Sequence, residues 1–350
     1  MKRLTPVLVA QIVAVVVVIL AGGVRAARAA DPDAGAGSAA TPVNVERREI
    51  IVPMPGGEMV RIDNSLGRVA VRGWSHPGQI HIVADKRAVS AEALARLRVH
   101  YTAWQNGEIH IDTRVELAGG ERSLPLSGSG VDLVVEVPPE VAVEAKTFGG
   151  DLSASGLRAG ARLETTGGRI GVSDVRGGVV TRQLQGGQTV TSVDGDVDLD
   201  GVEGDMDLRS LSGGRLDARL VDGRIRAEDI RSALVRLTAT TGDIVFVGLF
   251  RPAAHYDLRS YAGDVRIVAA SLSVPFELRS RSSAPVESSL PLRTLWRQGE
   301  RARAVFASRR SGTSGGGASG SAGPNALVEV SSVLGRVVIQ PRTADGRESP

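Results

Sequence analysis

The stretch VDGDVDLDGVEGDMDL, residues 193–208, holds seven acidic residues in sixteen positions and no basic one. Within it Val197, Leu199, Met206 and Leu208 alternate with aspartates, and Gly195 and Gly204 interrupt the alternation. A period of two puts successive side chains on opposite faces of a strand, so the apolar residues turn to a core and the acids to water. Glycines bounding such short runs mark turns. The stretch therefore reads as two short strands joined by tight corners.

The same unit recurs. It appears as LGRVAV (66–71), GGDLSA (149–154), GGRIGV (167–172), EGDMDL (203–208), DGRIRA (222–227), TGDIVF (241–246), AGDVRI (262–267) and LGRVVI (334–339), with a weaker copy, GGQTVT, at 186–191. The polar residues after the glycine are Asp151, Arg169, Gln188, Asp205, Arg224, Asp243 and Asp264, a spacing of about 19 residues. Half-period copies fall between them, such as VDGDVDL at 193–199 and SGGRLDA at 212–218. A repeat of this length is too short for a helix pair and fits two strands and two turns. Stacked, such repeats form a β-solenoid with its core along the axis. Alignment on the glycine gives two apolar columns: Leu152, Ile170, Met206, Ile225, Ile244 and Val265, then Ala154, Val172, Leu208, Ala227, Phe246 and Ile267. The GGQTVT copy is out of step by one residue, which predicts a β-bulge. The fold class is all-β: a solenoid-like stack of about 19-residue two-strand repeats, preceded by a mixed β portion with one short helix.

Composition sets the remaining bounds. Aromatics make up only 3% of the 350 residues, so Val, Ile, Leu and Ala must fill the core. The formal charge is only +3, and acids and bases alternate along the chain. That is a mixed surface and argues against nucleic acid as a partner. Lys2 and Arg3 precede an uncharged, largely apolar run from Leu4 to Val24, and Ala27-Arg28-Ala29 offers a small-x-small cleavage pattern. Residues 1–30 are read as a cleaved signal peptide or a retained inner-membrane anchor over residues 4–24. The remainder is expected to be exported, to the periplasm or outer envelope. The absence of cysteine excludes a disulfide framework and a lipoprotein anchor. Residues 31–42 read as a flexible linker, 43–146 as an N-terminal β-rich capping portion and 147–310 as the repeat solenoid. A Gly/Ser-rich loop at 311–325 then leads to a final strand pair at 326–340. In 89–99, VSAEALARLRV, Ser90 is placed to cap a helix.

Three segments carry a resemblance. They are EMVRIDNSLGRVAVRGW with IHIVADKRA (58–87), VEVPPEVAVEAKTFGGDLSASGL (135–157), and the following TTGGRI and TTGDI repeats. Together they resemble a bacterial adhesin-labelled family of β-strand-repeat envelope proteins, the domain of unknown function numbered 4097. The resemblance spans about 45–340; the Gly/Ser insertion and the uneven repeats at 186–208 depart from it. It implies an exported β-repeat fold and supplies no catalytic residues.

No chemistry stands out above this frame. Calcium needs several oxygens converging from a tight loop. The residues closest to such a set are Asp194, Asp196, Asp198, Asp205 and Asp207, and their alternation favours a solvated strand face. Asp205 is expected to stack near Arg224, and Asp207 near Arg226, one repeat on. His81 and His110 sit in similar strands, QIHIV and EIHID, which could pair as neighbours. Trp74, Tyr101, Trp104 and Trp296 are read as core plugs at the solenoid ends. No catalytic residue, metal or cofactor is assigned. The leading reading is a non-enzymatic envelope scaffold or adhesin-like binding module, whose partner is an envelope protein or a glycan. A carbohydrate-active β-helix enzyme and a calcium-dependent module are the alternatives.

Overall fold

The computed structural model describes residues 44–54, 59–76, 78–104, 107–116, 128–270, 273–306 and 325–342. Residues 1–30, the linker 31–42 and the Gly/Ser stretch up to 324 lie outside them. The chain winds as a two-sided β-solenoid, each coil giving one strand to each of two sheets. Among the described residues sheet A has thirteen strands and sheet B fourteen. In one coil, Ala161–Gly167 lies in sheet B and Ile170–Arg176 in sheet A, and Val179–Gln185 returns to sheet B. Successive coils pair in parallel register, with Leu163 beside Thr181 and Thr181 beside Leu199. The coil pattern already runs through Met59–Leu66 and Val69–Gly73, which pair with Ala142–Gly149 and Leu152–Ser155. Antiparallel strands finish sheet A at its N-terminal edge and sheet B at both edges. Asn44–Pro53 edges sheet A, while Leu97–Ala103 and Arg293–Gln298 edge sheet B. The helix is one short element, Ala91–Arg96, and the Ser90 hydroxyl accepts from the Ala93 N–H at 3.1 Å.

Both predicted apolar columns are buried throughout. Within four successive sheet A strands the alternation breaks once. Asp174, Ser192, Ser210 and Asp229 adopt left-handed φ of 54°, 56°, 52° and 54°. Each leaves two consecutive residues facing out and returns Val175, Val193, Leu211 or Ile230 to the core. At one corner of each coil the glycines stack in contact: a Cβ on Gly204 (φ +126°) would overlap the carbonyl oxygen of Gly186. Only glycine combines this φ with this approach. Beside this corner an inner polar column of sheet B satisfies its carbonyls. Asn64 Nδ2 donates to Gly67 O at 3.0 Å, and the Ser260 and Ser332 hydroxyls donate to Gly242 O and Gly263 O, both at 2.9 Å. The buried groups of Asn64, Ser260 and Ser332 are tolerated here because each of the three has a partner, whereas the Ser282 hydroxyl in the same column has none among the described residues.

Three expectations are corrected. The GGQTVT copy carries no bulge: Ile170, Gln188 and Met206 are register neighbours, as are Val172, Val190 and Leu208. Gly186 is the corner glycine and Gly187 takes the Arg/Asp position, so Gln188 itself occupies the core column. Its Oε1 accepts from Thr181 Oγ1 and its Nε2 donates to Asp200 O at 2.9 Å, which makes a buried amide acceptable there. The last two strands, Ala326–Ser332 and Val337–Pro341, do not pair with each other. They enter opposite sheets, and Ala326–Ser332 slots between His255–Ala262 and Phe276–Ser282. The aromatic plug is likewise elsewhere: Trp104 and Trp296 are exposed and Trp74 and Tyr101 only half-buried. Phe246, Phe250, Tyr256, Phe276 and Phe306 fill the C-terminal interior, with ring centroids 4.7–5.9 Å apart between neighbours.

Candidate functional site

The acidic stretch is divided among surfaces. Asp194 and Asp207 lie on sheet A strands, Asp198 and Asp200 on a sheet B strand, and Asp196 and Asp205 at corners. Each meets a donor, Asp198 and Asp200 sharing one. Asp194 accepts from the Ser212 hydroxyl at 2.9 Å, and Asp196 from the N–H groups of Gly214 and Arg215 at 3.1 and 2.9 Å. Arg219 Nη1 donates to Asp198 and Asp200 at 3.3 and 2.9 Å, and Arg209 Nη2 to Asp207 at 2.6 Å. Asp205 does neighbour Arg224, but it accepts from the backbone N–H at 2.9 Å rather than the guanidinium. The same corner contact recurs from Arg169 N–H to Asp151 and from Arg336 N–H to Asp264. The Gly-Asp motif is thus a backbone cap thrown onto the next coil. Among the described residues no group of three His, Asp or Glu side chains converges as metal ligands would. His81 and His110 sit in different sheets, His81 against Glu136 at 2.9 Å and His110 against Asp63 at 2.7 Å.

A different place on the molecule gathers charge without resolving it. On the outer face of sheet B, near its C-terminal end, a groove of about 820 Å³ runs across five strands. One row across it reads Arg259, Ser331, Arg281 and Arg301. The next reads Asp257, Glu329, Arg279, Arg303 and Trp296. In the second row and beside it, charges are matched. Arg303 Nη2 and Nε donate to Glu277 at 2.8 and 2.9 Å, and Arg279 Nε to the same carboxylate at 2.8 Å. Arg259 Nε donates to Asp257 at 2.6 Å, and Glu329 meets His255 and Arg279 at 3.1 and 3.4 Å. The Arg303 hydrogen bond holds the Glu277 carboxyl below its ordinary range, against its partial burial and helped by Arg279.

Arg281 and Arg301 differ. They stand directly opposite each other across an antiparallel pair, and among the described residues no carboxylate lies within ion-pair distance of either. Directly opposed like charges destabilise a sheet. Trp296 presents a half-exposed indole to the same groove. A pair of planar forks beside an aromatic plate can take a carboxylate or phosphate bidentately and an apolar ring face together. Sequence reasoning singled out Trp296, though as a plug, and missed both arginines. The usable signal was the alternation in RARAVF, 301–306, which sends Arg301 and Arg303 to one face. Their partner strand could not be read from it.

Comparison with known proteins adds the following. The family model described as Toastrack DUF4097 matches residues 40–284. No curated protein matches the sequence. Among solved structures, the chain is similar to a "putative cell adhesion protein" from Clostridium sporogenes at 9% identity, covering 85% of this chain and 99% of that one, with a TM-score of 0.23. It is also similar to a "putative adhesin" from Bacteroides fragilis at 8% identity, covering 84% and 97%, with a TM-score of 0.34. A "putative adhesin" from Parabacteroides merdae is 9% identical, with coverage of 64% and 96% and a TM-score of 0.32.

Proposed function

The chain belongs to the Toastrack DUF4097 family, and from that premise we propose that it is a non-enzymatic binding module of the exported cell envelope that holds an anionic glycan in the arginine groove of sheet B. The observation that carries this reading is the facing pair Arg281 and Arg301, without a carboxylate partner among the described residues and beside Trp296. Sugar carboxylates or phosphates would relieve that repulsion, and the indole would take a pyranose face.

Binding is favoured over glycoside hydrolysis by how the groove's acids are used. A general acid must keep its proton near neutral pH. Here Asp257 and Glu329 each pair with an arginine, and the Arg303 hydrogen bond holds the Glu277 carboxyl below its ordinary range. The apolar run at residues 4–24 supports export. Among the described residues no helix is long and apolar enough to cross a membrane.

The test is binding of the full chain to immobilised polygalacturonate against neutral dextran. Retention on the acidic polymer alone, weakened by salt and lost in the R281E/R301E double variant, is the expected result. Equal retention on both polymers, or on neither, overturns the glycan assignment, and release of shortened oligosaccharides overturns the non-enzymatic one.

A further inference from the structure

Away from the arginine groove, sheet B carries a second surface built by its parallel register. Next to the glycine corner an outward column runs up the solenoid through Phe148, Leu184, Val202, Val221, Tyr261 and Val333, whose exposures range from 42% to 71%. Thr166 and Thr240 complete it, one residue per coil. A monomeric surface seldom lines up apolar side chains in this way. Two residues back along each strand lies a charged column: Lys146, Glu164, Arg182, Asp200 and Arg219. Its sign alternates at every step. Between ridge and ladder runs a groove of about 760 Å³.

From this arrangement we infer that the ridge and ladder form an isologous interface with a second copy of this chain, the two solenoids antiparallel. The argument rests on symmetry. A twofold axis lying in the interface and parallel to the strands lays ladder on ladder and ridge on ridge while reversing the solenoid direction. Placed midway between the strands of Arg182 and Asp200, it opposes Arg182 to the partner's Asp200 and Glu164 to the partner's Arg219. An alternating ladder changes sign about such a midpoint, so these contacts are all attractive. A parallel arrangement would oppose each charge to its own copy, and like charges would meet throughout.

The ridge then meets itself, Leu184 against the partner's Val202 and Thr166 against the partner's Val221. Arg182 is the ladder's least committed cation: it is exposed, and its contact to Asp200 within the chain is long, at 3.9 Å. The six ridge strands symmetric about the axis, from Phe148 to Thr240, span roughly 29 Å at about 4.8 Å each, and their three outward columns cover about 20 Å, or about 580 Å² per copy. Over two copies that is about 1,160 Å², near the roughly 1,200 Å² lower bound of stable interfaces.

Sedimentation of the full chain tests this, with circular dichroism confirming that each variant is folded. Wild type sediments as a dimer, while R182E and D200R each sediment as monomers, because each opposes like charges across the axis. Mixed in equal amounts, the two variants form a heterodimer: at one contact the carboxylate introduced at position 182 meets the guanidinium introduced at position 200, and at the other native Asp200 meets native Arg182. L184E abolishes association in every combination. A wild-type monomer at all concentrations overturns the inference, as does a mixture that stays monomeric. All three variants leave Arg281 and Arg301 intact, so polysaccharide retention reports on the groove separately from this interface.

Discussion

The acidic stretch 193–208 and the arginine groove both gather charge, and they are built in opposite ways. In the stretch, every carboxylate from Asp194 to Asp207 meets a donor, Glu203 included through Gln185 Nε2 at 3.2 Å. Its charge is consumed in holding coil to coil, except that Asp207 answers Arg209 within its own strand. In the groove, Glu277 and Asp257 likewise answer Arg303 and Arg259, but Arg281 and Arg301 oppose each other without a carboxylate among the described residues. The difference teaches that density of charge along a sequence is a poor marker of a site. Charge left unneutralised in space is a better one. Mutations in the stretch should therefore damage stability and spare binding, and mutations at the groove's arginine pair should do the reverse.

The largest expected effect is at the corner inside the stretch. Gly204→Ala forces a Cβ into a backbone carbonyl at a φ that L-residues avoid, and should cost about 2–4 kcal/mol in denaturant unfolding. A neutral result would mean that the corners are looser than their stacking indicates. Next comes Asp196→Ala, which strips the acceptor from the Gly214 and Arg215 N–H groups and should cost about 1 kcal/mol. In the same melts added calcium should leave the midpoint unmoved, since the aspartates face different ways. A rise of several degrees would restore the stretch as a site and collapse the contrast.

Smaller still in stability is Arg281→Ala. It relieves an opposed like-charge pair, so unfolding should change by less than about 0.5 kcal/mol, toward greater stability. Retention on acidic polysaccharide should meanwhile fall at least about tenfold. If stability drops instead, the arginine is structural and the two regions are alike after all.

The smallest effect sharpens the matched part of the groove. Arg303 lowers the folded-state pKa of Glu277 below its ordinary 4.5. Its contribution is present above the unfolded value and lost as pH falls below about 4.5 through the lower folded value. Glu277→Gln should therefore flatten the stability profile in that acidic window, as read by denaturant titrations at pH 7 and pH 3. Parallel profiles for variant and wild type would show that Glu277 is not engaged as described.

How much could be read in advance differs between these regions for a physical reason. The columns through Ile170 and Val172 were legible because burial on one face imposes a period of two, and stacking of identical coils imposes the longer repeat. Gln188 was misread because two adjacent glycines offered two alignments. Only the neighbouring coils, through Thr181 and the Asp200 carbonyl, choose the one that satisfies a buried amide. The pairing of Asp205 with the Arg224 strand followed from spacing. The use of the backbone N–H rather than the guanidinium did not, because that depends on how the corner presents its amide.

By itself, then, the sequence determined the architecture: glycine corners, alternating strands, a repeat near nineteen residues and a core of aliphatic side chains. These follow from local sterics and from the burial of one face, which each segment carries in its own residues. Only the tertiary structure decided that Ala326–Ser332 slots between His255–Ala262 and Phe276–Ser282, so that Asp264 caps Arg336 from 72 positions away. It also decided that Arg281 faces Arg301, and that six apolar residues from as many coils or strands form one ridge. Such neighbours are set by which strand edge is open when the next segment arrives, a property of the assembled sheet that no single segment encodes.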